Sequence, residues 1–148
     1  MDKIVAGADG SDASKDALRW ALNEARLRQT RLQVIHAWES PPPIPDVAPS
    51  PSPALEYVDL LPALQQSAEQ MVRRLVEEVA GDEPGVEIEA VAVEGPTVSV
   101  LLDAARDAQL LVVGSRGHGR FAGLLLGSVS QALAHHAPCP LVIHRHSQ

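Results

Sequence analysis

The sequence predicts an α/β fold: a doubly wound, open five-stranded parallel sheet with helices on both faces. Three observations predict it. Short, almost wholly apolar runs, as expected of strands covered on both faces, alternate with stretches whose apolar residues recur at helical spacing. Turn-forming residues separate the two kinds of segment. The 148 residues suffice for one well-buried core, and 45% hydrophobic but only 3% aromatic content leaves Ala, Val and Leu to fill it. The chain therefore reads as one domain over 1–148.

Ile4-Val5-Ala6-Gly7-Ala8 is a short apolar run that ends at Asp9-Gly10-Ser11-Asp12, so it reads as a buried strand entering a helix capped by Ser11 or Asp12. Along that helix Ala17, Leu18, Ala21, Leu22, Ala25 and Leu27 make the apolar side, with Arg19, Glu24, Arg26 and Arg28 mostly opposite. Leu32 to Trp38 forms the second strand. Beyond it Pro41, Pro42, Pro43, Pro45, Pro49, Pro51 and Pro53 deny backbone donors and fix φ, which excludes a helix or a central strand up to Pro53. Residues 40–55 thus read as a Pro-rich surface loop, serving as a lid or spacer or as a ligand for a proline-recognising module.

Helical spacing returns with Leu60, Leu61, Leu64, Ala68, Met71, Val72, Leu75, Val76 and Val79 and closes at Gly81, making the longest helix. Val86, Ile88, Ala90 and Ala92 alternate with more polar neighbours in a third strand that stops at Glu94-Gly95-Pro96 and suits a sheet edge. Pro96-Thr97 opens a third helix along Val98, Leu101, Leu102 and Ala105. Gln109 to Val113, apolar from Leu110 on, is the fourth strand, and Gly114 ends it. Ser128 begins a helix through Val129, Ala132 and Leu133, and Pro140 to His144 is the fifth strand.

Strands alternating with helices imply parallel pairing with right-handed crossovers, a Rossmann-like arrangement. Ligands of such sheets sit beyond the carboxyl ends of the strands where the winding reverses, which brings together the loops after the first and fourth strands. Asp9 and Gly114 stand at those two ends.

A net charge of -7 argues against a nucleic-acid partner, because phosphate backbones are held through an excess of Lys and Arg. The N-terminus enters a strand-like run at once, with no signal-peptide pattern, and no apolar stretch reaches the length of a membrane span. The lone Cys139 asks for no oxidising compartment, so the cytoplasm is the expected location. Flanked by prolines and without an activating partner, Cys139 reads as a packed residue and not a nucleophile. The pairs His135-His136 and His144 with His146 offer no closed metal-ligand set, since adjacent helical residues diverge and the second pair sits at the terminus.

The segment Gly114-Ser115-Arg116-Gly117-His118-Gly119-Arg120 leaves a buried strand, and Gly127-Ser128 returns immediately before a helix. Glycines on their own often do no more than make turns. Here they let backbone N–H groups approach an anion closely, while a helix N-terminus led by Ser128 adds orphan donors and Arg116 and Arg120 add cations. The loop lacks the Gly-Lys-Ser/Thr of a Walker A sequence and the spacing of a dinucleotide turn. Asp9 has two readings: a carboxylate that organises its own turn, or one that accepts from ribose hydroxyls and holds Mg2+ through oxygen.

Gly114, two residues, Gly117, nine residues, Gly127, Ser128 resembles the G-2x-G-9x-G-(S/T) signature of the ATP-binding branch of the universal stress protein family. Asp9-Gly10-Ser11 and Pro138-Cys139-Pro140-Leu141-Val142 are similar to that family as well, and the Pro-rich insert is the least typical part. The resemblance implies a site for ATP, or for AMP or ADP, in which Gly114, Gly117, Gly127 and Ser128 contact ribose and phosphates. Asp9 would lie near the ribose and any Mg2+, and the Ala37 backbone would reach adenine. Ala8 and Gly10 beside Asp9, Ser115, Arg116, His118, Gly119 and Arg120 in the loop, and Val129 in the helix complete the candidate set. The resemblance also implies a homodimer paired through the final strand.

The function expected is that of an ATP-binding stress or signalling protein whose nucleotide state biases its conformation or partner choice, with slow or no hydrolysis. Asp9 and His118 are the only candidate bases near the loop. A weak ATPase or nucleotidyl transferase is the alternative, and a nucleotide-free dimeric adaptor a third reading.

Overall fold

The computed structural model describes residues 2–41, 53–116 and 126–146. Five strands and four helices alternate along them: β1 (Lys3–Gly7), α1 (Asp12–Arg28), β2 (Arg31–Trp38), α2 (Pro53–Ala80), β3 (Ile88–Glu94), α3 (Thr97–Ala105), β4 (Leu110–Gly114), α4 (Ser128–His136) and β5 (Leu141–His144). The strands form one sheet in the order β3-β2-β1-β4-β5. Every pairing is parallel, with Gly7 opposite Ile35, Ala6 opposite Val112, Trp38 opposite Glu94 and Gly114 opposite His144.

Both sheet faces are covered, which explains why the central strands read as continuous apolar runs. On one face Ile4, Ala6, Leu32, Val34 and Val112 pack beneath Ala17, Leu18, Ala21 and Leu22 of α1 and Ala68, Val72 and Leu75 of α2. On the other, Val5, Ile35, Leu111 and Val113 pack beneath Leu101 and Ala105 of α3 and Leu133 of α4. Successive side chains of a strand alternate between faces, so neighbours such as Ile4 and Val5 serve different cores.

α1 is capped by Ser11, whose side chain accepts from the Ser14 N–H. Gly81 follows α2 with φ +68, and its N–H donates to the Glu77 carbonyl, the expected left-handed close. β3 lies at the sheet edge and exposes Glu89 and Glu94.

Three expectations shift. Leu27 is 80% exposed and outside the core face of α1, because it sits about 200° around the helix from Ala25. α2 begins at Pro53, inside the segment 40–55 read as loop. Proline is tolerated there because the first helical N–H has no intrahelical partner. Most of the Pro-rich stretch, residues 42–52, lies outside the described residues. Strand ends also move: β2 starts at Arg31, β3 at Ile88 and β5 at Leu141, while β4 runs from Leu110 through Gly114. Pro140 cannot donate to the ladder, though its carbonyl still accepts from Leu111 N–H at 2.9 Å.

Candidate functional site

β1 and β4 are neighbours whose onward connections leave toward opposite edges of the sheet, to β2 and to β5. A crevice opens at their carboxyl ends for that reason. It holds a cleft of about 220 Å3 on the α3 and α4 face.

The β1 wall is built by a chain of short hydrogen bonds. Ala8 N–H donates to the Ile35 carbonyl at 2.9 Å, which carries the β1–β2 ladder one residue past Gly7. Asp9 Oδ1 accepts from the Ser11 N–H at 2.9 Å and from the Ser11 hydroxyl at 2.5 Å, so its carboxylate does organise the turn into α1. The Ser14 hydroxyl, donating to the Ser11 carbonyl at 2.9 Å, locks the same turn from within the helix. Asp9 also lines the cleft, so the two readings of this residue are compatible. Gly10, with φ +83, faces away and borders a separate depression beside Lys15, Met71 and Arg74.

Two glycines, Gly7 at the end of β1 and Gly114 at the end of β4, are needed for reasons of packing. A Cβ on Gly114 would stand 3.1 Å from the Ala13 carbonyl oxygen, so the first turn of α1 rests directly on the end of β4. A Cβ on Gly7 would meet Leu101 Cδ1 at 2.9 Å and Val113 Cγ1 at 3.2 Å, so this glycine admits Leu101 to the floor of the cleft. Beyond Gly114, Ser115 N–H donates to the His144 carbonyl at 2.9 Å. The Ser115 carbonyl accepts from Gly127 N–H at 2.7 Å and from the Ser130 hydroxyl at 3.0 Å. These bonds pin together the two ends of the glycine-rich loop.

α4 starts at Ser128 with Gly127 as its N-cap and no side-chain cap bond. The first-turn amides of an α-helix lack intrahelical acceptors, and here Ser128, Val129 and Ser130 border the cleft, which Arg116 lines as well. An uncapped helix end, a cation and one carboxylate on a small apolar floor make a surface suited to an anionic ligand with an apolar part.

Of the residues expected from sequence, Ala8, Asp9, Ala37, Gly114, Ser115, Arg116, Gly127, Ser128 and Val129 line this cleft. Gly117, His118, Gly119 and Arg120 lie outside the described residues. Gly7, Ser14, Ile35, Thr97, Leu101, Val113 and Ser130 line it too and were missed. Gly7 and Ser14 flank the Asp9 turn and were within reach of the motif, whereas Thr97 and Leu101 come from α3 and carry no local signal.

Among the described residues no three His, Cys, Asp or Glu side chains gather as a metal site. One carboxylate still fits Mg2+, which binds through one or two carboxylates and completes its shell with phosphate oxygens and water. Elsewhere, His146 Nδ1 lies 2.6 Å from Asp16 Oδ2, and with Arg19 it holds the Asp16 carboxyl below the usual range. Burial pushes the Cys139 thiol up, against nucleophilic use, while a backbone hydrogen bond partly offsets it. No helix of the described residues is long and apolar enough to cross a membrane.

A model of the universal stress protein family matches residues 1–145. The chain is 38% identical over 147 residues to the universal stress protein Rv2623 of Mycobacterium tuberculosis, covering 97% of this chain and 45% of that protein. The chain thus spans about half the length of the curated relatives it matches. Among solved structures, the universal stress protein UspA of Lactobacillus plantarum superposes with TM-score 0.76 at 23% identity, covering 97% of each chain. A universal stress protein in complex with cAMP superposes with TM-score 0.68 at 26% identity, covering 99% of this chain and 98% of that one.

Proposed function

The chain belongs to the universal stress protein family, and on that premise we propose that it binds an adenine nucleotide in the cleft between β1 and β4 and signals through its nucleotide state. One observation carries the reading: the exits of β1 and β4 and the uncapped N-terminus of α4 converge on a single cleft at the switch point of the sheet. The cAMP complex of a relative supports the adenine class.

ATP is the proposed ligand, with AMP and ADP as smaller occupants of the same cleft. Adenine would lie against Ile35 and the Ala37 backbone, and ribose near Asp9. At about 220 Å3 the cleft is smaller than the ~300–1,000 Å3 of sites that bury a whole drug-sized ligand. The phosphates of ATP would therefore lie at the mouth, beside Arg116 and the α4 N-terminus, and Asp9 is the residue that would hold Mg2+. Mg2+, when bound, would supply charge neutralisation there. The remaining candidates, Gly117, His118, Gly119 and Arg120, belong to the same loop. Slow or absent hydrolysis is part of the proposal, because fast phosphoryl transfer needs a positioned base with its clamps. A free Cys139 supports a reducing, cytoplasmic setting, and the edge strand β5 is the proposed seam of a homodimer.

Calorimetric titration with Mg-ATP and with AMP tests the reading on the full chain. Asp9→Asn is the informative variant, since the amide keeps an acceptor for Ser11 but loses the charge. The expected outcome is weaker Mg-ATP binding with little change in melting temperature. Absence of binding to the unaltered chain would remove the proposed site, and phosphate release faster than about 1 per second would make it an enzyme.

A further inference from the structure

We propose that His36 is a positioning residue of the nucleotide site, holding the Ala8–Asp9 wall in place from the opposite face of the sheet; this rests on the reading of the cleft as an adenine-nucleotide site. His36 Nδ1 lies 2.9 Å from the Ala8 carbonyl oxygen. A carbonyl only accepts, so Nδ1 carries the hydrogen and donates. The neighbouring Ala8 N–H is engaged by β2 as well, through the Ile35 carbonyl at 2.9 Å. Two consecutive residues of β2 therefore grip Ala8 by both of its backbone groups.

The position of His36 in the strand gives this grip its consequence. Ile35 and Ala37 line the cleft, and the alternation of a strand turns the residue between them to the other face. His36 thus shares its backbone with the wall assigned to adenine, while its ring fixes the residue before Asp9. The spacing of the two subsites is thus held by the β1–β2 ladder and, at the Ala8 carbonyl, by one side chain that is assigned to neither base nor ribose. Ala8 is buried and the ring half-buried, so removing the ring leaves the carbonyl without its fixed donor and with only such water as enters the vacated space. Both the neutral Nδ1–H tautomer and the protonated ring keep this donor.

Three variants separate this role from general packing. Asn places its amide nitrogen where His carries Nδ1, Gln places its own one bond further out, and Ala has no donor. The expected result is an AMP affinity weakened about two- to tenfold in His36→Ala and His36→Gln, and kept within about twofold in His36→Asn. Hydrogen exchange of the Ser11 amide, which donates to Asp9, should quicken in the same two variants and not in His36→Asn. Nitrogen-15 shifts of the unaltered protein should report the Nδ1–H tautomer for the neutral ring. Unchanged Ser11 exchange in His36→Ala, or His36→Asn as impaired as His36→Ala, would overturn the proposal. If His36→Ala does not fold, the Asn and Gln pair decides. If the unaltered chain binds no AMP, the functional reading fails, and Ser11 exchange still decides whether His36 holds the wall.

Discussion

Gly114 illustrates how one residue can satisfy a ligand motif and a packing constraint together. The atoms a Cβ would meet are the Ala13 carbonyl oxygen and carbon, at 3.1 and 3.2 Å, and backbone yields less readily than a side-chain tip. Gly114→Ala should therefore cost about 1–3 kcal/mol of stability, readable in denaturant unfolding, even without nucleotide. Asp16 offers a second measurable effect. Its folded pKa is lowered, first by the hydrogen bond from His146 and then by charges including Arg19, so its contribution is present above the ordinary Asp range. That contribution is lost as pH falls through the lowered value. Asp16→Asn should lower the melting temperature near neutral pH, and the gap to the unaltered chain should close on acidification. A gap independent of pH would contradict this account.

Among the helices, α4 is held by a small core while its N-terminus borders the cleft. Its buried residues are Ser130 and Leu133 alone. Leu133 is fully buried against the second face of the sheet, and Ser130 ties the helix to Ser115. Leu133→Ala should cost about 2–5 kcal/mol and also weaken nucleotide binding, because the helix N-terminus loses its anchor. Calorimetry and thermal unfolding of one variant check both. α1, by contrast, presents five buried aliphatic residues from Ala17 to Ala25, which makes it the firmer side of the cleft. Its Ala-rich face reads directly from 3.6-residue spacing, and the exposure of Leu27, about 200° around the helix from Ala25, follows from the same geometry.

At the scale of the whole molecule, the spatial order β3-β2-β1-β4-β5 leaves β3 and β5 as edges of different character. β3 carries exposed Glu89 and Glu94, which discourage pairing with another chain. β5 carries Leu141, Val142 and Ile143, all half-buried. Sedimentation should find twice the mass of the chain, with the dimer weakened by a charge at Val142. A monomer at all concentrations would remove the proposed seam.

Periodicity and turn chemistry by themselves determined the type and order of nearly every element, the two strand ends that matter and most of the β1 and β4 walls. Those features are local: a helix repeats every 3.6 residues, a doubly covered strand is continuously apolar, and an Asp-Gly-Ser turn needs only its neighbours. The tertiary structure alone decided that Thr97 and Leu101 reach the cleft, that Gly114 rests on Ala13, and that His36 grips Ala8 from β2. Each of these contacts joins segments far apart in the chain. They exist only because the sheet places β1 between β2 and β4, an order set by the packing of all four helices and not by any short stretch of residues.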